Sequence, residues 1–306
     1  MQYYVTALQE GLLYGVLAIG IFISLRILNI PDLTAEGSFG IGCAAAAVSA
    51  SAGLGLLSLP ITMLAGALAG FVTALLQTKL RVHPVISGII TMSAAYSVKL
   101  IIMKNTTNVA MGDTSFFKVL RSLLTNADAM TKKLAACGVS FLITVVIVLL
   151  VIWFFSTHTG MCIRATGDNP EMVSASSINA DMEKVIGLCV SNALIGLAGG
   201  LVAHYNGYSD VSSSNGILVY GLAAVIIGEA VMGKRSVTIG IISAVIGSVI
   251  YKLIVAVVID FNLFGIYSAN LMKLMCAVIV AITLSIPEMK KLIAKRKLLK
   301  EAKRNA

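Results

Sequence analysis

Glu10, Arg26, Lys99, Glu229 and Lys252 are ionisable side chains that interrupt the long apolar runs of this chain. A charge inside a bilayer is expensive, so each is a candidate for function until a cheaper account is found. Lys99 and Lys252 lie near run ends and are expected to snorkel outward, with Glu10 reaching the outer surface. Glu229 has two readings, an ion pair with Lys234 or Arg235 and support for a gate or helix break. No series of carboxylates crosses the middle of the runs, which argues against a proton or sodium relay. His83, His158 and His204 are far apart in sequence, and neither HExxH nor GxSxG occurs. Gly228-Glu-Ala-Val-Met-Gly233-Lys234-Arg235-Ser236 approaches the phosphate-loop pattern. It places Arg where a hydroxyl should meet Mg²⁺ and ends an apolar run rather than following a strand. The cysteines at 43, 137, 162, 189 and 276 have no metal-ligand spacing. The chain is therefore expected to be no enzyme and to hold no metal or cofactor. If ATP drives it, ATP and Mg²⁺ belong to another subunit.

The elements that position these groups are membrane helices. The chain is 58% hydrophobic and 12% charged, against about 25% charged in soluble domains. Its apolar runs have the ~17–25 residues needed to cross a hydrocarbon core of ~30 Å. Nine are read, at 5–28, 37–55, 58–78, 85–104, 135–155, 184–204, 216–232, 237–258 and 269–286. The second and seventh are short and rich in Gly and Ala. The period-two alternation of a membrane barrel is absent. No basic region precedes the first run, so no cleaved signal peptide is expected. The expected fold class is an all-α polytopic membrane protein of about nine transmembrane helices, some short or broken. It is one domain over 1–290 with a basic tail at 291–306.

Charge sets the orientation. Residues 287–306 hold eight Lys and Arg against Glu288 and Glu301, so 8 − 2 = +6 of the net +9 lies at one end. A basic tail after a membrane helix marks the cytoplasmic side and attracts anionic lipid; it is no nucleic-acid signal. Counting back places 233–236, 156–183, 79–84 and 29–36 inside. The N-terminus, 56–57, 105–134, 205–215 and 259–268 then fall outside. The 105–134 loop departs from the rule with Lys118, Arg121, Lys132 and Lys133. Its Phe116, Phe117, Leu120 and Leu123 spacing predicts a surface helix near 115–124.

Residues 156–183 form a polar island between apolar segments. Gly160 is expected to break the incoming helix. Asp168 or Asn169 can cap a new one, Pro170 suits its first turn and Glu171 favours its N-terminus, giving a short helix over 170–177. An internal repeat also shows. Gly37-Ser-Phe-Gly-Ile-Gly42-Cys-Ala-Ala45 and Gly216-Ile-Leu-Val-Tyr-Gly221-Leu-Ala-Ala224 share G-x4-G-x-A-A, offset by 216 − 37 = 179 residues. Five helices between repeat starts would insert the second half (184–286) inverted relative to the first (5–104), an arrangement common in transporters. The pairs Gly11/Gly15, Gly66/Gly70 and Gly196/Gly200 are read as packing within the chain rather than a dimer seam.

Gly160-x3-Arg164-Ala-Thr-Gly167-Asp-Asn169-Pro-Glu171 through Ala175-Ser-Ser-Ile178 resembles the cytoplasmic coupling segment of ABC-importer permeases of the ribose and branched-chain amino-acid type. Pro31-Asp32-Leu33-Thr34-Ala-Glu-Gly37-Ser-Phe39, Asn192 and Gly221-Leu-Ala-Ala-Val-Ile-Ile-Gly228-Glu229 are similar to the tryptophan/tyrosine-type subfamily. Met161-Cys162 stands where relatives often have a basic or small residue. The resemblance implies a permease with a cobalamin-importer-like fold and a homodimer partner. It implies two cytoplasmic ATP-binding subunits, an extracytoplasmic substrate-binding protein or lipoprotein, and an aromatic amino acid as solute. Arg164, Gly167, Asp168, Asn169, Pro170, Glu171 and Ser174 are the coupling candidates. Asp32, Thr34, Ser38, Phe39, Asn192, Tyr220 and Glu229 are the pathway or gate candidates. A secondary transporter built on inverted repeats is the rival, as are a sugar, nucleoside or branched-chain amino acid as solute. The expected place is the plasma membrane of a prokaryote, N-terminus outside and C-terminus inside.

Overall fold

The structure, a computed structural model, describes residues 2–112, 114–123, 128–233 and 236–260. Seven helices among them are long and apolar enough to cross a membrane: Tyr3–Ile27, Gly55–Thr78, Pro84–Ile102, Met130–Ser156, Ala180–Asn206, Val211–Met232 and Val237–Val257. The elements are α1 (Gln2–Phe22, continued by a π-helical segment Ile23–Ile27), α2 (Ala35–Ser51), α3 (Ser58–Thr78), α4 (Pro84–Ile102), β1 (Asn108–Ala110) and α5 (Phe116–Leu123). There follow α6 (Ala129–Ser156), α7 (His158–Asp168), α8 (Pro170–Ala175), α9 (Ala180–Asn206), β2 (Tyr208–Asp210), α10 (Ile217–Met232) and α11 (Val237–Asp260). Eight of the nine expected segments are thus helices. The ninth, at 269–286, lies outside the described residues, as do the basic tail and Lys234 and Arg235.

α2 is the exception to the span rule. At 17 residues it is ~25 Å long, short of the hydrocarbon thickness, yet most of its residues are buried. Its run of Gly, Ala and Ser lets α9 approach to backbone contact. A Cβ on Gly42 would strike the Gly196 carbonyl, and one on Gly199 the Phe39 carbonyl. The three small-residue pairs pack inside the chain as expected. Gly66 and Gly70 of α3 meet Asn192, Gly196 and Leu188 of α9, and Gly11 and Gly15 of α1 meet Val249 and Val245 of α11. Outward faces of α3, α4 and α6 carry Leu64, Leu68, Ile90, Phe141, Leu149 and Trp153 exposed, where lipid would cover them.

The helix pairing is reciprocal. α3 lies along α9 while α11 lies along α1, and α2 packs on α9 while α10 packs on α1. α2 starts beside Asn192, residue 192 − 180 + 1 = 13 of the 27 in α9. It runs to the face where Thr114 Oγ1 donates to the Ala50 carbonyl at 2.7 Å. α10 starts at the same depth, with the Gly216 N–H donating to Glu36 Oε1 at 3.0 Å. It runs the other way, to the Arg26–Glu229 ion pair at 2.6 Å.

Loops close the ends. β1 and β2 pair antiparallel, Val109 opposite Ser209, joining two connections that are distant in sequence. The expected surface helix is α5. Phe117 anchors it, 1% exposed and edge-on to Tyr205. The Phe116 N–H donates to His204 Nδ1 at 3.2 Å, and His204 Nε2 lies 2.6 Å from Ser58 Oγ.

Candidate functional site

The polar island folds into two helices meeting at a corner. α6 ends one residue before Thr157, whose extended backbone makes the break and whose Oγ1 accepts from the Gly160 N–H. Gly160 itself is inside α7, correcting the expectation that it breaks the incoming helix. It is glycine because a Cβ would strike the Phe154 carbonyl across the knee. α7 then runs through Gly167 to Asp168. Gly167 faces a second backbone: a Cβ would land on the carbonyl of Ile27, at the end of the π-helical segment. Gly187 of α9 abuts the Leu28 side chain from another element. The C-terminal end of α1 is thus held against α7 and α9.

α8 is a single short helix. Of the two capping candidates Asn169 is the cap, its Oδ1 accepting from the Met172 N–H at 3.0 Å, with Pro170 at the first position. It ends at Ala175, not Ser177. Val173 is 2% exposed and anchors it, while Arg164, Asp168, Asn169, Pro170, Glu171 and Ser174 are all exposed around it. One short connection therefore presents several charged and polar groups on a seat of backbone contacts. Beside it a cleft of about 500 Å³ is lined by Arg81, Asp181, Lys184, Gly167 and Pro170.

Four pathway candidates come together, but as an interior clamp. Asn192 Nδ2 donates to Asp32 Oδ2 at 2.7 Å, and Ser38 Oγ donates to Asn192 Oδ1 at 2.6 Å. The Thr34 N–H donates to Asp32 Oδ1 at 2.9 Å, and Thr34 Oγ1 lies 2.7 Å from Thr73 Oγ1. All five side chains are buried, so each polar atom finds a partner in the chain. Phe39 is buried beside Tyr14. Tyr220 packs tilted against Tyr14 and edge-on to Tyr251, and its hydroxyl sits 2.6 Å from Ser248 Oγ.

The ionisable groups behave differently from the expected snorkelling. Lys252 turns inward to Glu10 at 2.7 Å, with its ammonium 4.4 Å from the Tyr14 ring centroid. Lys99 is 2% exposed and donates to the Val211 carbonyl at 2.5 Å and Ser214 Oγ at 3.2 Å. Together with Glu36 and Tyr96 it lines a cavity of about 290 Å³. Glu36 and Tyr96 escaped sequence reading: Glu36 lies within the Pro31–Phe39 stretch but was not among its candidates, and Tyr96 lies in no motif. The signal available was a Glu at the head of a Gly-rich apolar run.

Fold and site define the class: a polytopic helical membrane body with a compact polar surface mounted on one face. The chain belongs to the family described as branched-chain amino acid transport system / permease component, whose family model matches residues 3–284. It is 32% identical over 249 residues to the tyrosine transport system permease protein of Clostridioides difficile, covering 81% of this chain and 80% of that one. It is also 31% identical over 231 residues to an uncharacterized protein of Rickettsia prowazekii, covering 76% and 78%. No solved structure matches the chain.

Proposed function

We propose that this permease works as a homodimer with two cytoplasmic ATP-binding subunits and an extracytoplasmic substrate-binding protein, importing an aromatic amino acid. The observation that carries the reading is α8: a capped, exposed helix seated through Gly167 on the end of α1. When the ATPases close on bound ATP, movement of α8 passes through α7 to α1 and α9, and through them to α10, α11, α2 and α3. Arg164, Asp168, Asn169, Glu171 and Ser174 supply the contacts to the ATPase. The reciprocal packing of α1–α3 with α9–α11 supports an inverted repeat within a nine-helix body. The tyrosine permease relative supports an aromatic solute. The basic tail supports a cytoplasmic C-terminus in a prokaryotic plasma membrane, with the N-terminus outside.

The test is reconstitution of the permease with its ATPase and binding protein in vesicles. Uptake of L-tyrosine should require ATP and survive collapse of ion gradients. Glu171→Lys should keep the permease in the membrane while cutting both ATPase retention and uptake. Uptake that proceeds on an ion gradient without ATP would refute the reading.

A further inference from the structure

We propose that the cavity between α2, α4 and the start of α10 binds a free α-amino acid, with Lys99 meeting its carboxylate and Glu36 its ammonium group. The proposal rests on the transport reading above and adds the site and the chemistry of recognition. The cavity lies at half depth of the bundle, where α2 and α10 both begin. Transporter solute sites favour such positions, between repeats and beside interrupted helices.

Its charges are of opposite sign and bonded elsewhere. Glu36 Oε1 accepts the Gly216 N–H at 3.0 Å, and Lys99 is held by Val211 and Ser214. A zwitterion is the small solute that satisfies both at once. A sugar satisfies neither charge, and an amine or a carboxylic acid satisfies one. A buried lysine is a poor device for stability alone, because desolvation offsets its bonds.

Two glycines let α2 come close to the other lining residues. A Cβ on Gly40 would come within 3.0 Å of Ser214 Oγ and 3.2 Å of Lys99 Cδ, and one on Gly37 within 2.6 Å of Ala95 Cβ. At about 290 Å³ the volume is at the small end of ligand pockets, ~300–1,000 Å³. That suits one amino acid and excludes a peptide. Tyr96, 49% exposed, and Met92 offer an aromatic and a thioether surface to the side chain.

The experiment is solute protection of a thiol in the complete importer in vesicles. Ser93 lines the cavity and is exposed, so Ser93→Cys is labelled with a small maleimide, using the parent importer as background. L-Tyrosine should slow labelling. Tyramine, which lacks the carboxylate, and 3-(4-hydroxyphenyl)propanoate, which lacks the ammonium group, should not. Glu36→Gln retains an acceptor for the Gly216 N–H, so the start of α10 keeps its tie to α2. It should nonetheless raise the half-protecting tyrosine concentration at least about tenfold and narrow the preference for tyrosine over the propanoate. Lys99→Gln should narrow the preference over tyramine in the same way. Equal protection by all three compounds, protection unchanged in Glu36→Gln, or no protection in vesicles that import tyrosine would overturn the site alone. An importer that carries no amino acid at all would overturn the proposed function and the site together.

Discussion

Replacing Gly167 tests whether α7 transmits force to α1. The residue sits in regular helix, so its backbone does not require glycine; the approach of Ile27 does. A Cβ there would overlap the Ile27 carbonyl oxygen and lie 2.8 Å from Ile27 C and 3.0 Å from Leu28 Cα. These are backbone atoms, so no side chain can swing aside. Reaching ordinary carbon contact at ~3.5–4.0 Å requires α7 to lift from α1 by ~1 Å or more at the carbonyl. Overpacking of this kind costs ~1–3 kcal/mol, which shifts a docked-to-undocked balance by about 5- to 150-fold. The seat is local, so Gly167→Ala should leave the protein in the membrane. Tyrosine taken up per ATP hydrolysed in reconstituted vesicles should fall, and fall further for Gly167→Val. Gly138→Ala is the control, because a Cβ there meets nothing within 4 Å. Wild-type coupling in Gly167→Val would refute the lever argument.

Three other outcomes are expected. Asn192→Ala leaves Asp32 Oδ2 and Ser38 Oγ without their partner in a buried site, at a cost of about 3 kcal/mol. Its thermal midpoint in detergent should drop by several degrees, and an unchanged midpoint would count against the clamp. A double-mutant cycle on Glu10→Gln and Lys252→Met should give a coupling of ~0.5–1 kcal/mol. Lys252→Met alone should cost more than Glu10→Gln, because it also removes the ammonium over Tyr14. Single cysteines at Gln2 and Asn305 in a Cys-free background should label from opposite sides of the membrane. Labelling from one side would refute the odd helix count.

Much of this protein was written in the sequence, because a bilayer imposes local requirements. A helix that crosses lipid must be long, apolar and self-bonded, so α3, α4, α10 and α11 were legible from hydropathy alone. So was α8, because Asn169, Pro170 and Glu171 act within one turn of each other. The family followed from the same stretch. What hydropathy cannot carry is the facing of a helix. In water the buried side is the apolar side; in lipid both sides are apolar, so periodicity loses its meaning. Only the tertiary structure therefore decided that α2 is enclosed and that Lys99 and Lys252 turn inward. It also decided that Asp32, Ser38 and Asn192 clamp the interior. Glycine shows the same division. The composition announced that helices pack closely, but which glycine meets which backbone depends on partners far along the chain. Gly42 answers to Gly196, and Gly167 to Ile27. The break at Thr157 and the β1–β2 pairing likewise depend on neighbours that the fold alone brings together.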